Sequence, residues 1–201
     1  MLIAHLVPGY FAAVVSQPSW NPKWSRTQRA SLWLAALGAT AAPDLDVIYN
    51  LLLRGFFGHS VLWTHSVFVH LPLVLAWFVM GRTRSWPYLR TMTGLIAAGG
   101  ISHLLLDALS HGTPLFYPLS RELIGVTLER IRIGGVIAYL THPAYLVEAL
   151  LITLAAGHWD STRGTAARYA RSTFLVTVLV GWAAASIAFL VLLAAPATDN
   201  Y

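Results

Sequence analysis

Histidine is unusually frequent where it can do chemistry. The chain holds eight histidines, as many as its aspartates and glutamates together. His103, Asp107 and His111 are spaced four residues apart, which on a helix places all three along one face. A His-x-x-x-Asp pair at that spacing can aim two ligands at one ion, with Zn–N and Zn–O distances of about 2.0–2.2 Å. Asp44 and Asp46 occur as Pro43-Asp44-Leu45-Asp46, His59 and His65 lie shortly after them, and His5 stands near the start. Cysteine is absent, which removes disulfides, thiolate nucleophiles, iron–sulfur clusters and thiolate zinc sites together. Any metal must therefore be held by imidazole and carboxylate. No G-x-S-x-G elbow, Walker A loop or H-E-x-x-H helix is present, so those catalytic templates do not apply.

The elements that position these residues are apolar. Of 201 residues, 57% are hydrophobic and 10% charged, against about 25% charged in an ordinary soluble domain. An ordinary water-soluble enzyme is excluded by that balance, and disorder by the lack of polar residues. The length fits one integral membrane domain over residues 1–201. A spanning helix takes roughly 20 apolar residues, and the sequence predicts an all-α bundle of about six such helices, five being the alternative. The expected spans are Met1 to about Ser16, Arg29 to about Leu53 (broken by Pro43-Asp44-Leu45-Asp46), Ser60–Met80, Met92–His111, Ile133–Gly157 and Ser172–Ala195. The net charge of +5 comes from 12 Arg and one Lys. Alternation of basic clusters with apolar runs favours a membrane over a nucleic acid, and no nucleic-acid partner is expected. Odd-numbered loops hold nine basic residues (Lys23, Arg26, Arg29, Arg82, Arg84, Arg90, Arg163, Arg168, Arg171), even-numbered loops four (Arg54, Arg121, Arg130, Arg132). Basic loops stay in the cytoplasm, so both termini are expected outside.

On this topology the first and third helices begin outside, and the second and fourth finish there. His5, Asp44, Asp46, His59, His65, His103, Asp107 and His111 then converge on the outer end of the bundle from four separate segments. Ionisable groups in membrane helices cost about 2.5–3.5 kcal/mol each on insertion scales and mark function by default. Plainer readings exist for individual residues. Asp44 or Asp46 can cap a helix, His103 and Asp107 can pair by hydrogen bonding alone, and His70 or His142 can serve packing. Glu148, mid-way along the fifth helix, is a further neighbour of the site or a helix–helix hydrogen-bonding group. Aromatic residues near the helix ends (Trp20, Trp24, Trp86, Tyr88, Tyr117, Trp159) read as interfacial anchors.

Pro43-Asp44-Leu45-Asp46, Thr64-His65-Ser66, Ser102-His103-Leu104-Leu105-Leu106-Asp107 and Gly112-Thr113-Pro114-Leu115-Phe116-Tyr117-Pro118 together resemble the YdjM-like (DUF457) membrane-bound metal-dependent hydrolases. His5 matches the early histidine of that family, and the resemblance covers about residues 1–120. In the family's H-R-G-x-T-H-S motif, which Thr64-His65-Ser66 matches at its end, the two histidines are five apart. Here His59 and His65 are six apart, with Ser60-Val61-Leu62-Trp63 where the family places an Arg-Gly stretch. The order of His and Asp motifs is more distantly similar to zinc-dependent phospholipase C and related single-strand nucleases.

The resemblance implies a metal-dependent hydrolase whose site opens to the outer face of a bacterial-type inner membrane. Asp44, Asp46, His65, His103 and Asp107 would hold one or two divalent ions, zinc or alternatively manganese, with His5 as a further ligand. His59 or His111 would act as general acid or base, the role imidazole fills most readily. The expected partners are membrane lipids and a lipid-like or other amphipathic ester or phosphoester; the oligomeric state is left open. Two other readings compete. A His/Asp cluster in a bundle can be a metal-ion or proton pathway, although the inner halves of the second to fourth helices are apolar. It can also hold a structural metal in a protein without turnover.

Overall fold

Capping chemistry and proline set the helix boundaries. The structure is a computed structural model, and it describes residues 4–55, 63–83, 85–110, 112–125 and 143–161. Helix α1 spans Leu6–Ser16 and is followed by a 3₁₀ turn, Gln17–Ser19. Pro8 sits in the first turn of α1, where its missing N–H would have had no intrahelical partner. Helix α2 (Arg26–Ala41) opens with a capping box, in which Ser25 Oγ accepts from the Gln28 amide and Gln28 Oε1 from the Ser25 amide. Its ladder ends with the Ala42 amide donating to the Gly38 carbonyl at 2.8 Å, because Pro43 has no N–H to continue it. The amides of Asp44, Leu45, Asp46 and Val47 then bond three residues back at 3.1–3.2 Å. After this tight turn come the short helix α3 (Leu45–Tyr49) and a π-helical turn, Asn50–Arg54, closed by Gly55 at φ +71°.

A 3₁₀ turn, Trp63–His65, precedes α4 (Val67–Gly81), which Ser66 caps by accepting from the Phe68 amide. Helix α5 runs Pro87–Ser110, and α6 runs Pro143–Ser161. Six α-helices thus make up the described residues, with no strand among them. The sole extended pairing there is an isolated antiparallel bridge between Thr113 and Ile124. Helices α1, α2, α4 and α5 belong to one unit, in which α2 packs on α1 and α5, and α4 packs on α5. Helix α6 belongs to a second unit; within it Glu148 and Ile152 are buried, at 1% and 3% exposure.

Small residues let the first unit close. A Cβ on Gly99 of α5 would lie 2.8 Å from Ala39 Cβ and 3.1 Å from the Thr40 amide of α2, so the two backbones meet where glycine is required. Gly9 of α1 sits in the same way against Ala36 and Thr40. This is how helices associate where water does not drive them together. From Ala36 onward away from Thr40, Ala13, Leu32, Ala36 and Leu95 form the apolar core, with Trp20, Trp24, Trp33, Tyr88 and Met92 packed around it.

The apolar run from Arg29 to Leu53 is broken where Pro43-Asp44-Leu45-Asp46 falls, the Pro43 turn dividing it into α2 and the α3/π segment. Among the described residues one helix, over Pro87–Leu109, is long and apolar enough to cross a membrane, while Val67–Gly81 and Val147–Trp159 are shorter apolar helices. The expected span Ser172–Ala195 lies outside the described residues, as do His59, His111 and His142.

Candidate metal centre

The turn after α2 decides where its carboxylates go. Asp44 and Asp46 leave it on opposite sides of one imidazole: Asp44 Oδ1 lies 3.9 Å from His65 Nε2, and Asp46 Oδ2 lies 3.4 Å from His65 Nδ1. His65 is held in place from both flanks. Ser66 Oγ donates to the carbonyls of Tyr117 (2.5 Å) and Leu115 (3.4 Å), and the Val67 amide donates to Leu115 at 2.9 Å. Thr113 Oγ1 reaches the His65 carbonyl at 3.4 Å. His70, one turn into α4, places Nε2 3.1 Å from the Thr64 carbonyl, so it fixes the backbone ahead of His65 and stays outside the cluster.

His103 and Asp107 come from the last turns of α5, and their side chains meet at 3.2 Å through His103 Nε2 and Asp107 Oδ2. The other nitrogen of His103, Nδ1, lies 2.7 Å from the Thr40 carbonyl. That carbonyl belongs to the last turn of α2, whose carbonyls have no intrahelical donor. A carbonyl only accepts, so His103 Nδ1 carries the proton and Nε2 presents a lone pair to the cluster. His65 is arranged alike, with Nδ1 toward Asp46 and Nε2 inward.

The inward atoms then form a compact set. His103 Nε2 lies 3.4 Å from Asp44 Oδ1 and 3.4 Å from His65 Nε2, and His65 Nε2 lies 3.3 Å from Asp107 Oδ2. Asp44, His65, His103 and Asp107 each offer one ligand atom, all within 4.8 Å of one another. Ligands at about 2.0–2.1 Å from a tetrahedral ion are separated by about 3.3–3.4 Å, the spacing found here along most edges. The electrostatics agree. Two facing imidazole lone pairs and two carboxylates are buried together, with His65, His103 and Asp107 at 0% exposure and Asp44 at 9%. Buried negative charge is costly unless neutralised, and a divalent cation balances two carboxylates and two neutral imidazoles. The donor set therefore fits a metal.

His5 occupies the opposite side of the same carboxylates. Its Nδ1 is 3.3 Å from Asp44 Oδ2 and its Nε2 3.2 Å from Asp107 Oδ1, while its ring stacks on His103 with centroids 4.1 Å apart. The structure thus brings together all six residues assigned to a metal from sequence: His5, Asp44, Asp46, His65, His103 and Asp107. Four of them form the ligand-spaced group; Asp46 stands behind His65, and His5 bridges the outer oxygens of Asp44 and Asp107. The proposed acid–base residues His59 and His111 lie outside the described residues. Sequence reasoning missed the Thr40 carbonyl and the Ser66 and Thr113 tethers. Backbone acceptors leave no trace in residue type; a serine directly ahead of an apolar run, as Ser66 is, is the one signal that could have pointed to its cap.

The family model for the YdjM inner membrane protein matches residues 1–195. No curated protein and no solved structure matches the chain, and the more distant likeness to phospholipase C gains no support.

Proposed function

From the premise that the chain belongs to the YdjM inner membrane protein family, we propose that it is a membrane-bound metal-dependent hydrolase acting on a lipid-like phosphoester or related ester at the extracytoplasmic face. The observation that carries this reading is the buried group of two Nε2 lone pairs and two carboxylates at ligand spacing. Asp44, His65, His103 and Asp107 hold the ion, with zinc the metal the spacing suits best. A divalent cation there supplies Lewis acidity and lowers the pKa of a water toward neutrality. The chain's own residues do the rest. Asp46 and the Thr40 carbonyl fix the two imidazoles in one tautomer and orientation, and His5 holds the carboxylates apart by engaging an oxygen of each. His59 and His111 are the acid–base candidates. About six spanning helices with both termini outside complete the reading.

The deep burial of His65, His103 and Asp107 favours one further reading, a structural metal in a protein without turnover. Elemental analysis of the purified protein, together with hydrolysis assays on vesicles of bacterial phospholipids and on a chromogenic phosphodiester, separates the two. One or two ions per chain, none in His103→Ala/Asp107→Ala, and turnover lost with the metal are expected. Intact metal content in the double variant would overturn the site. Bound metal without turnover on any ester would leave the structural role, with chelation then lowering only the melting temperature.

A further inference from the structure

The segment that follows the aspartates is built inside out. Over Leu45–Arg54, ten residues long, two polar side chains face inward, Asp46 at 2% exposure and Asn50 at 0%. The apolar ones face outward, with Leu45 at 57%, Ile48 at 53%, Leu51 at 53%, Leu52 at 75% and Leu53 at 71%. A surface helix of a water-soluble protein shows the reverse distribution, and contiguous exposed apolar patches mark interaction or membrane surfaces. The medium that suits the outward face is hydrocarbon.

Length decides how the segment can sit there. Ten helical residues extend about 15 Å, half of the roughly 30 Å hydrocarbon thickness, so the segment does not cross the bilayer. The tight turn at Pro43 also separates it from the ladder of α2. Its far end carries Arg54, whose guanidinium lies 5.5 Å from the centre of the Tyr49 ring. Tyrosine and arginine on an otherwise apolar helix are the residues that settle at the headgroup level, the arginine stretching its charge toward it. Trp63, 58% exposed at the start of the next described segment, is of the same kind.

We infer that Leu45–Arg54 is an interfacial segment at the boundary of headgroups and acyl chains, with Leu45, Ile48, Leu51, Leu52 and Leu53 in contact with bilayer lipid. Its inward face carries Asp46, and Asp44 immediately precedes it, so the metal-binding residues sit directly behind a lipid-covered wall. Where the hydrolase reading holds, and this consequence rests on it, the substrate is a bilayer-resident lipid that reaches the site sideways rather than from the aqueous phase.

The absence of cysteine permits a direct test. Ile48→Cys, Leu52→Cys and, as the aqueous control, Ser19→Cys are labelled with an environment-sensitive fluorophore. Each is reconstituted in phosphatidylethanolamine/phosphatidylglycerol vesicles containing phosphatidylcholine brominated high on the acyl chain. Probes at Ile48 and Leu52 should be quenched several-fold more by the brominated lipid than the Ser19 probe, and several-fold less by aqueous iodide. Equal iodide quenching at all three positions, without bromine quenching at Ile48 and Leu52, would overturn the wall. Leu51→Cys replaces either variant that fails to bind metal. Metal content measured on the same vesicles keeps the two readings apart: retained metal with aqueous probes sinks the wall alone, whereas buried probes without metal sink the metal site alone.

Discussion

Asp46 and Asp44 differ by two positions in sequence and by a whole layer in the site. Asp44 turns an oxygen into the ligand group, whereas Asp46 meets the outward nitrogen of His65 at 3.4 Å. A carboxylate behind a ligating histidine fixes its tautomer and raises its basicity, and its loss typically weakens metal binding about 10–100-fold. Asp46→Asn should therefore keep a metal-binding protein with affinity reduced by about that factor, while Asp44→Asn should remove stoichiometric binding. Competition against a chromophoric chelator measures both. Equal loss in the two variants would make Asp46 a ligand instead. The early histidine is legible in the same terms only in part: its position near the carboxylates follows from topology, but that it spans Asp44 and Asp107 with both ring nitrogens depends on the ring's orientation.

The elements matter through where they stop and how near they come. Helix α2 ends at Pro43, which leaves the Thr40 carbonyl available to orient His103. That contact in turn requires α5 to approach α2 at Gly99. Gly99→Ala should cost about 1–3 kcal/mol through overpacking and disturb metal binding along with stability, since the added carbon meets Ala39 and Thr40. Gly38→Ala, where a Cβ meets nothing within 4 Å, should instead stabilise α2 by about 0.5–1 kcal/mol. Thermal unfolding in detergent, with and without a chelator, measures both. A loss at Gly38 equal to that at Gly99 would show that close approach is not the cause. The expected span starting at Ser60 differs from α4, because hydropathy runs on through Trp63–His65 while those residues turn in a 3₁₀ step and the helix waits for the Ser66 cap.

For the whole molecule the question is which side the site faces. Helix α1 starts at the cluster, α2 ends there, α4 starts there and α5 ends there, so alternating helices deliver their polar ends to one level. On the sequence count of nine basic residues in the expected odd-numbered loops against four in the even-numbered ones, the cluster is expected on the extracytoplasmic side. Single cysteines at Ser120 and Ser85 check this with a membrane-impermeant thiol reagent on intact cells. Labelling at Ser120 and protection at Ser85 are expected, and the opposite pattern would invert the topology and move the proposed chemistry to the cytoplasm.

Composition and order along the chain were enough to establish a helical membrane protein whose ionisable exceptions gather at one end. Such groups are too costly in hydrocarbon to be scattered, and helices of alternating direction leave few ways to gather them. Tertiary structure alone decided what each group faces there. His65 and His103 each give the cluster one nitrogen because a carboxylate and a helix-end carbonyl engage the other. The run after Pro43 lies outside the α2 ladder because a missing amide turned the chain. Residue type limits the chemistry available, but a ligand shell is a matter of directions and distances of a few ångströms, and those arise only when separate segments pack.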